Sequence, residues 1–404
     1  MTWSVSSCKP SIAAALERAQ AGLKLSAQDA MVFEQTSSSD LLALLQVADA
    51  LRVQHHGHTI TYSRKVFLPL TNLCRDYCGY CTFRKDPGDR GAKTMTPDDI
   101  LEVIANGEKL GCKEALFSLG DKPEALFPEM RADLQRFGHR RTLGYLTEMC
   151  RLVLDHSSLL PHANPGVMGP KDLERLREVN ASMGLMLEST SRRLLAPGMA
   201  HDNAPDKDPA IRLKTLENAG KLRIPFTTGI LIGIGETFAE RVESLCAIRE
   251  LHERYDHIQE VIIQNFRAKP DIPMHDHAEP SLLDFLRMIA VARLIFGGEM
   301  NLQAPPNLTP EQYQLLLTAG INDWGGISPL TIDFINPEAP WPQLRTLKRV
   351  SAELGLQLRQ RLALYPEYIT QKPGFIAPEL EPRLKAMVDE DGYPLGQEGD
   401  GLPG

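Results

Sequence analysis

The apolar side chains near the start of the chain recur at helical spacing. Between positions 41 and 51, leucines and alanines return every three or four residues, and Ser39 and Asp40 precede them as candidate helix caps. We therefore predict a helical segment over residues 1–60. The pattern then changes to a short apolar run at residues 65–70, which is typical of a buried strand.

Apolar strands and amphipathic helices alternate along most of the remaining chain. The predicted strands, each after the first preceded by a helix, cover residues 65–70, 115–119, 159–163, 183–187, 226–232, 260–264, 300–303 and 321–324. This alternation is typical of a parallel sheet covered by helices, and eight units predict an α/β fold, a closed (β/α)8 barrel of the TIM type. An open doubly wound sheet is the alternative, although no glycine-rich dinucleotide fingerprint follows the first strand.

Three regions follow from this pattern. We predict an N-terminal helical segment at 1–60, the barrel at 61–345 and a C-terminal helical extension at 346–404. Prolines, glycines and acidic residues become frequent after Tyr365, so we expect this extension to end in a frayed tail.

Composition narrows the classes of partner. The 404 residues carry 44 Lys and Arg against 52 Asp and Glu, a net charge of -8, and 43% are hydrophobic. These values are typical of a globular protein, and the absence of a basic excess argues against a nucleic-acid partner. No apolar stretch approaches the roughly 20 residues of a membrane span, and no secretory leader is evident. We expect no membrane partner and a cytoplasmic location, where reduced thiols stay available for metal.

The strongest chemical signal is a triplet of cysteines. Cys74, Cys78 and Cys81 form a CxxxCxxC motif directly after the first predicted strand, where barrel enzymes carry active-site loops. The same spacing fits one face of a helix, but the intervening Arg75 and Asp76 do not suit a buried face. Three thiolates suit zinc or an iron–sulfur cluster, and structural zinc sites take four protein ligands. A 4Fe-4S cluster held by three cysteines leaves one iron open to a further ligand.

This motif, with Tyr80 just before the third cysteine, resembles that of the radical S-adenosylmethionine superfamily. The resemblance implies that the three cysteines hold a 4Fe-4S cluster whose open iron chelates S-adenosylmethionine, with Tyr80 near the cofactor. One electron then splits the sulfonium and releases a 5′-deoxyadenosyl radical, which takes hydrogen from an unreactive carbon. In such chemistry the protein positions and insulates the cofactor.

Further matches concern the binding of S-adenosylmethionine. Gly120 and Asp121 follow the second predicted strand, in the turn that holds the methionyl ammonium in the superfamily; a plain turn is the alternative. Glu188 follows the fourth strand, where the superfamily often binds the ribose hydroxyls; an ordinary surface glutamate is the alternative. Gly233 and Ile234 belong to a GxIxGxxE-like strand, and glycines within a strand suggest close approach of a ligand, here the adenine.

Five stretches narrow the resemblance to the synthases that form the deazaflavin chromophore, and among these to the cyclising subunit. They cover residues 73–83, 120–124, 225–237, 257–266 and 320–329. The resemblance implies a small-molecule substrate, a hydroxybenzyl group coupled to a ribitylaminouracil, which a partner radical enzyme supplies. Hydrogen abstraction, ring closure and loss of ammonia then give 7,8-didemethyl-8-hydroxy-5-deazariboflavin. The resemblance also implies an electron donor, whose identity the sequence does not indicate.

Polar residues at two predicted strand ends suit such a substrate. Gln264 and Asn265 offer amide donors and acceptors for a uracil edge or for ribityl hydroxyls. Asp323 and Trp324 are expected at the end of the eighth strand, where Trp324 could stack on an aromatic ring. A turn cap and an apolar filling of the barrel mouth are their alternative roles. The sequence assigns no catalytic acid or base.

Two other functions remain open at this point. The chain could be the partner radical enzyme that joins tyrosine to the uracil, or a related menaquinone-pathway enzyme. It could also be a non-enzymatic iron–sulfur or zinc protein that carries electrons or acts as a sensor, in which case it would not cleave S-adenosylmethionine.

Overall fold

A computed structural model describes residues 8–396 of the chain, and three helices precede the sheet. They are α1 (Pro10–Gln20), α2 (Ala27–Ala30) and α3 (Ser38–His56). Ser37 and Asp40 cap α3 reciprocally, each side chain accepting the backbone N–H of the other residue. The predicted helix at 41–51 is confirmed, and it begins at Ser38 because Ser37 is the residue that caps it.

All eight predicted strands are present. They are β1 (Thr59–Thr71), β2 (Glu114–Leu119), β3 (Leu160–Asn164), β4 (Ser182–Gly184), β5 (Phe226–Ile232), β6 (Ile258–Asn265), β7 (Leu302–Gln303) and β8 (Asp323–Ile327). Each strand pairs in parallel with the next, and β8 pairs in parallel with β1. The sheet therefore closes on itself, which confirms the (β/α)8 barrel and excludes an open doubly wound sheet.

Helices surround the barrel. They are α4 (Pro97–Lys109), α5 (Pro123–Leu126), α6 (Pro128–Arg136), α7 (Thr142–His156), α8 (Pro170–Arg177), α9 (Pro209–Lys221), α10 (Phe238–Tyr255), α11 (Leu282–Phe296) and α12 (Gln314–Thr318). Of these, α4, α9, α10 and α11 begin at a side-chain cap. Thr96 and Thr237 form capping boxes with an acidic residue three positions later. Between residues 8 and 396, none of the helices is long and apolar enough to span a bilayer.

The region after the barrel contributes a ninth strand. It contains α13 (Leu344–Glu353), β9 (Gln357–Arg361), α14 (Pro366–Thr370) and α15 (Glu381–Lys385). β9 pairs in parallel with residues 59–63 of β1, whereas β2 pairs with residues 65–71 of the same strand. Because β8 occupies the other edge of β1, β9 lies below β2, towards the amino ends of the strands. The extension is thus not purely helical, and it continues the sheet across the predicted boundary at residue 345.

The segment after β9 packs into the base of the barrel. Leu362, Leu364 and Tyr365 are buried, and they form one apolar cluster with Leu160 at the start of β3. These side chains cover apolar surface that the amino ends of the strands would otherwise expose. The tail after residue 396 lies outside the described residues.

Alternate residues of the barrel strands point inwards, and many of them line one cavity. These inward residues include Lys65, Phe67, Glu114, Leu116, Ser118, His162, Asn164, Glu260, Ile262 and Gln264. Glu114, His162 and Glu260 lie nearest the amino ends of β2, β3 and β6. Residues 361 and 363 line the same cavity. The interior is therefore a chamber lined by both apolar and charged side chains, and the C-terminal region contributes to its floor.

Candidate functional site

The cavity has a volume of about 360 Å³ and runs from the loops at the carboxyl ends of the strands to the barrel floor. Cys74, Cys78 and Cys81 line it at the upper end, in the loop after β1. Glu188 and Gln264, at or beyond the ends of other strands, line it as well. The carboxyl ends of barrel strands are where TIM-type enzymes place their active sites, so this chamber is the candidate site.

Backbone amides hold the sulfur of Cys74. It accepts hydrogen bonds from the N–H of Asp76 at 3.4 Å and from the N–H of Asp121 at 3.2 Å. Burial raises the pKa of the Cys74 thiol to about 12, with the Asp76 carboxylate adding to the effect. A buried thiolate therefore needs a positive partner, and a metal centre supplies one. Hydrogen bonds to sulfur are also among the features that tune iron–sulfur clusters.

The spacing of the three sulfurs bears on which metal fits. Among residues 8–396, the only three potential ligand side chains whose donor atoms lie within 4.8 Å of one another are Asp76, Asp121 and Asp206. The cysteine triplet does not meet this limit. A single zinc ion binds sulfur at about 2.3 Å, so it would bring its sulfurs to about 4 Å from one another. At least one pair of the three sulfurs therefore lies farther apart than a single zinc ion would hold them.

The turn after β2 lies directly against the cysteine loop. A side chain at Gly120 would collide with the Leu73 carbonyl and with Cys74, so only glycine permits this approach. Asp121 accepts a hydrogen bond from the Val167 N–H at 2.8 Å through one oxygen, and its other oxygen is buried without a hydrogen-bond partner. Burial, followed by repulsion from nearby Asp206, raises the pKa of Asp121 to about 7. Both predicted residues line the cavity.

Tyr80 and Glu188 lie close together on the cavity wall. The Tyr80 hydroxyl bonds His201 Nε2 at 3.1 Å, and the Glu188 carboxylate accepts a hydrogen bond from Lys207 at 2.6 Å. The Lys207 ammonium is also 5.8 Å from the centre of the Tyr80 ring. Burial is the largest single effect and disfavours the Lys207 charge, but the charge and hydrogen bond of Glu188 together with the Cys78 thiolate raise the Lys207 pKa. The Glu188 backbone has a φ of 65°, a strained conformation of the kind that clusters at functional sites.

Gly233 and Ile234 lie behind the cavity wall. Their N–H groups donate to the Glu236 carboxylate at 2.7 and 2.8 Å, and Ile234 packs in a buried apolar cluster. Neither residue lines the cavity, whereas Leu231 of the same segment does. The chain turns away after β5 to begin α10, and contact of these two residues with the adenine of S-adenosylmethionine stays a prediction.

Gln264 and Asn265 end β6 and both line the cavity, as expected from the sequence. The Asn265 amide nitrogen donates to the Leu308 carbonyl at 3.4 Å, while its oxygen is buried without a partner. An unsatisfied buried acceptor is costly, so this oxygen is well placed to receive a donor from a ligand.

Asp323 and Trp324 begin β8 rather than end it, so their expected place at the barrel mouth is wrong. Asp323 is buried in an ion pair with Arg361 at 2.7 Å, and Trp324 packs edge-to-face on Tyr313 at 5.6 Å. Neither residue lines the cavity. The strand extends further because the following glycines belong to it: side chains at positions 325 and 326 would collide with Gln303 and Lys65.

Several residues of the site were not predicted. Lys65 pairs with Glu114 at 3.0 Å inside the barrel, and His162 and Arg361 line the same chamber. A charged residue at the edge of an apolar strand is unusual in a buried sheet, so Lys65 and Glu114 did carry a signal. Lys207 and Arg361 carried none, because each reaches the cavity from a segment outside the predicted strands.

Comparisons with known proteins identify the family. The family model of the Radical SAM superfamily matches residues 68–246. The FO synthase of Streptomyces avermitilis is 48% identical over an alignment of 387 residues, and the match covers 93% of this chain and 45% of that protein. The 7,8-didemethyl-8-hydroxy-5-deazariboflavin synthase of Methanopyrus kandleri is 47% identical over 334 residues, which make up 83% of this chain and 99% of that protein.

A solved structure supports the fold. The FeFe-hydrogenase maturase HydG from Carboxydothermus hydrogenoformans has a TM-score of 0.70 and 18% identity, covering 94% of this chain and 87% of that one. At this level of identity the likeness shows the fold alone. The chain spans about half the length of the FO synthases it matches and nearly all of the archaeal synthase. The family implies a 4Fe-4S cluster and S-adenosylmethionine. The chain belongs to the radical SAM superfamily, in the family of 7,8-didemethyl-8-hydroxy-5-deazariboflavin synthases.

Proposed function

We propose that this chain closes the deazaflavin ring. Its substrate would be the coupled hydroxybenzyl ribitylaminouracil, and its product 7,8-didemethyl-8-hydroxy-5-deazariboflavin, formed with loss of ammonia. The observation that carries the proposal is a single chamber with three cysteines at its mouth and polar side chains at its floor. Such a chamber can hold a radical-generating cofactor and a polar heterocycle side by side, away from water.

In this proposal Cys74, Cys78 and Cys81 ligate the cluster. Asp121 and Glu188 bind the polar groups of S-adenosylmethionine, and Tyr80 packs beside it. When bound, the cluster and S-adenosylmethionine supply a carbon radical that removes hydrogen from the substrate. The residues of the chain hold these groups in place: two N–H groups fix the Cys74 sulfur, and Lys207 fixes the Glu188 carboxylate.

The substrate would occupy the remaining space. Phe67 and Trp341 stack at 5.3 Å with an angle of 18° between their rings, and both line the cavity, where they offer an aromatic wall for the hydroxybenzyl ring. Gln264 and the unpartnered Asn265 oxygen would contact the uracil or the ribityl hydroxyls.

A partner radical enzyme would supply the coupled substrate. The FO synthases are about twice as long as the part that this chain matches, and the uncovered portion of those proteins leaves room for a second activity. An electron donor would be needed as well. We further propose that the chain divides at about residues 60 and 345, with β9 and the segment after it serving the barrel.

The test is an anaerobic assay of the reconstituted protein with the coupled substrate, read by deazaflavin fluorescence. We expect product without added tyrosine, whereas a requirement for tyrosine would indicate the coupling reaction instead. Changing Cys74, Cys78 or Cys81 to Ala should abolish 5′-deoxyadenosine formation. Cys246→Ala, a buried cysteine on α10, is the matched control and should keep it. Full activity in any of the three site variants would contradict the ligand assignment.

A further inference from the structure

His162 lies on the floor side of the chamber and is held through one ring nitrogen. Its Nδ1 is 2.7 Å from the Ser182 hydroxyl on the neighbouring strand. That hydroxyl donates to the Ala363 carbonyl at 2.6 Å. Ala363 belongs to the segment after β9, so Ser182 connects the C-terminal region to the imidazole of His162.

This chain of contacts fixes the tautomer of His162. A carbonyl oxygen can only accept, so the single hydroxyl proton of Ser182 is used on Ala363. The Ser182 oxygen must therefore accept from His162, which places the ring proton on Nδ1. The second nitrogen, Nε2, is then left with a lone pair and is an acceptor.

No residue between 8 and 396 donates a hydrogen bond to this Nε2, although His162 is nine-tenths buried and lines the cavity. Beside it, Glu114 would favour a charged imidazole, whereas Lys65 and Arg361 oppose it. Burial dominates and lowers the pKa of His162 to about 4, so the ring is neutral near pH 7. Because His162 lines the cavity, a ligand that brings a donor can bond this free acceptor there.

We propose that His162 Nε2 accepts a hydrogen bond from the imide N–H of the uracil ring of the substrate, and so selects for that ring. This assignment rests on the proposed function. A uracil edge alternates carbonyl acceptors with one N–H donor. The floor offers the complement: the His162 lone pair, and the Lys65 ammonium, which has two N–H groups beyond the one that Glu114 accepts.

Binding of the coupled substrate to the cluster-loaded full chain tests this, with no reductant present so that nothing turns over. By titration calorimetry, His162→Phe should weaken binding tenfold to a hundredfold, because the uracil N–H loses its acceptor. Methylation of the imide nitrogen should weaken binding to the wild type by a similar factor, and should have little further effect on His162→Phe. The assignment would be overturned if methylation weakened binding to the wild type and to His162→Phe equally. It would also be overturned if the His162→Phe variant had the melting temperature of the wild type and bound the substrate with wild-type affinity.

A second measurement uses the wild type and therefore does not depend on whether the variant folds. In protein labelled with nitrogen-15 at histidine, the His162 Nε2 signal should be that of an unprotonated nitrogen and should move when the coupled substrate is added. Ser182→Ala should release the tautomer and give signals of both forms. A protonated Nε2 in the wild type would overturn the assignment. A wild type that does not bind the coupled substrate would overturn the proposed function as well, whereas failure confined to the variant comparison would overturn only the role of His162.

Discussion

Arg361 should be among the most important single side chains for stability of the barrel. It lies at the end of β9 and is 3% exposed. Its Nε donates to Asp323 at 2.7 Å and one terminal nitrogen donates to Glu260 at 3.1 Å. Tyr365 adds a hydrogen bond to the same Glu260 oxygen at 3.1 Å. One buried guanidinium thus neutralises carboxylates from β6 and β8.

Replacing Arg361 by Met would leave both carboxylates buried without their cation. Removing one partner of a buried ion pair costs about 3–5 kcal/mol. Burial already raises the pKa of Glu260, so in the variant it should take up a proton more readily than in the unfolded chain. A carboxyl group with a raised folded pKa destabilises the fold increasingly as pH rises above its unfolded pKa of about 4.3. The deficit of Arg361→Met should therefore be larger at pH 7 than at pH 5.

Equilibrium unfolding in urea, followed by circular dichroism on the full chain at both pH values, measures this deficit. The triple variant Arg361→Met, Glu260→Gln, Asp323→Asn removes all three charges and should regain at least half of the lost free energy. Arg349→Met breaks an exposed ion pair with Glu353, and this variant should have the same free energy of unfolding as the wild type. A deficit of Arg361→Met below about 1 kcal/mol, or a triple variant no more stable than the single one, would refute the reasoning.

Three further changes test other parts of the molecule. Glu188→Gln should weaken S-adenosylmethionine binding about tenfold in equilibrium dialysis while cluster absorbance stays unchanged, because the carboxylate held by Lys207 is lost; unchanged affinity would remove Glu188 from the site. Gly326→Ala should lower the melting temperature by several degrees, because the new methyl group collides with the Lys65 side chain, whereas Gly169→Ala, where there is room, should not; equal melting of the two variants would contradict this. Burial lowers the pKa of His257 to about 3, so the wild type should lose about 2 kcal/mol of stability from this group as pH falls from 7 to 5, and His257→Phe should lack that loss; identical acid sensitivity of the two proteins would contradict it.

Strands were predicted correctly where the residues of the strand themselves carry a clear apolar pattern. β5 was predicted at 226–232 and has those bounds, because it is continuously apolar between clear helix signals. β9 was missed because its sequence, Gln-Leu-Arg-Gln-Arg, has the composition of a surface segment. This segment forms a strand only because the amino-terminal part of β1 has an edge that β2 does not cover. The local sequence of β9 does not show that such an edge is available elsewhere in the chain.

The same distinction applies to the site. Cys74, Cys78 and Cys81 were found because their spacing is short and their chemistry specific. Asp323 and Trp324 were misplaced because β8 begins at Asp323 and continues through two glycines, which make room for side chains on neighbouring strands. Contacts of this kind depend on how the barrel closes, so residue types alone do not reveal them.

The C-terminal region contributes both to the fold and to the candidate site. Arg361 neutralises carboxylates of two barrel strands. Two residues later, the Ala363 carbonyl accepts the hydroxyl proton of Ser182, and this contact leaves the lone pair of His162 on Nε2. An ordinary TIM barrel fills its interior with apolar side chains from its own strands. Here that interior is partly open and carries charged side chains at its lower end, which need both a seal against water and partners of opposite charge. Residues 357–365 provide both, so the floor of the chamber lies outside the eight strands that define the fold. The chemistry at the mouth could be inferred from the barrel sequence, but recognition at the floor depends on a segment that follows the barrel.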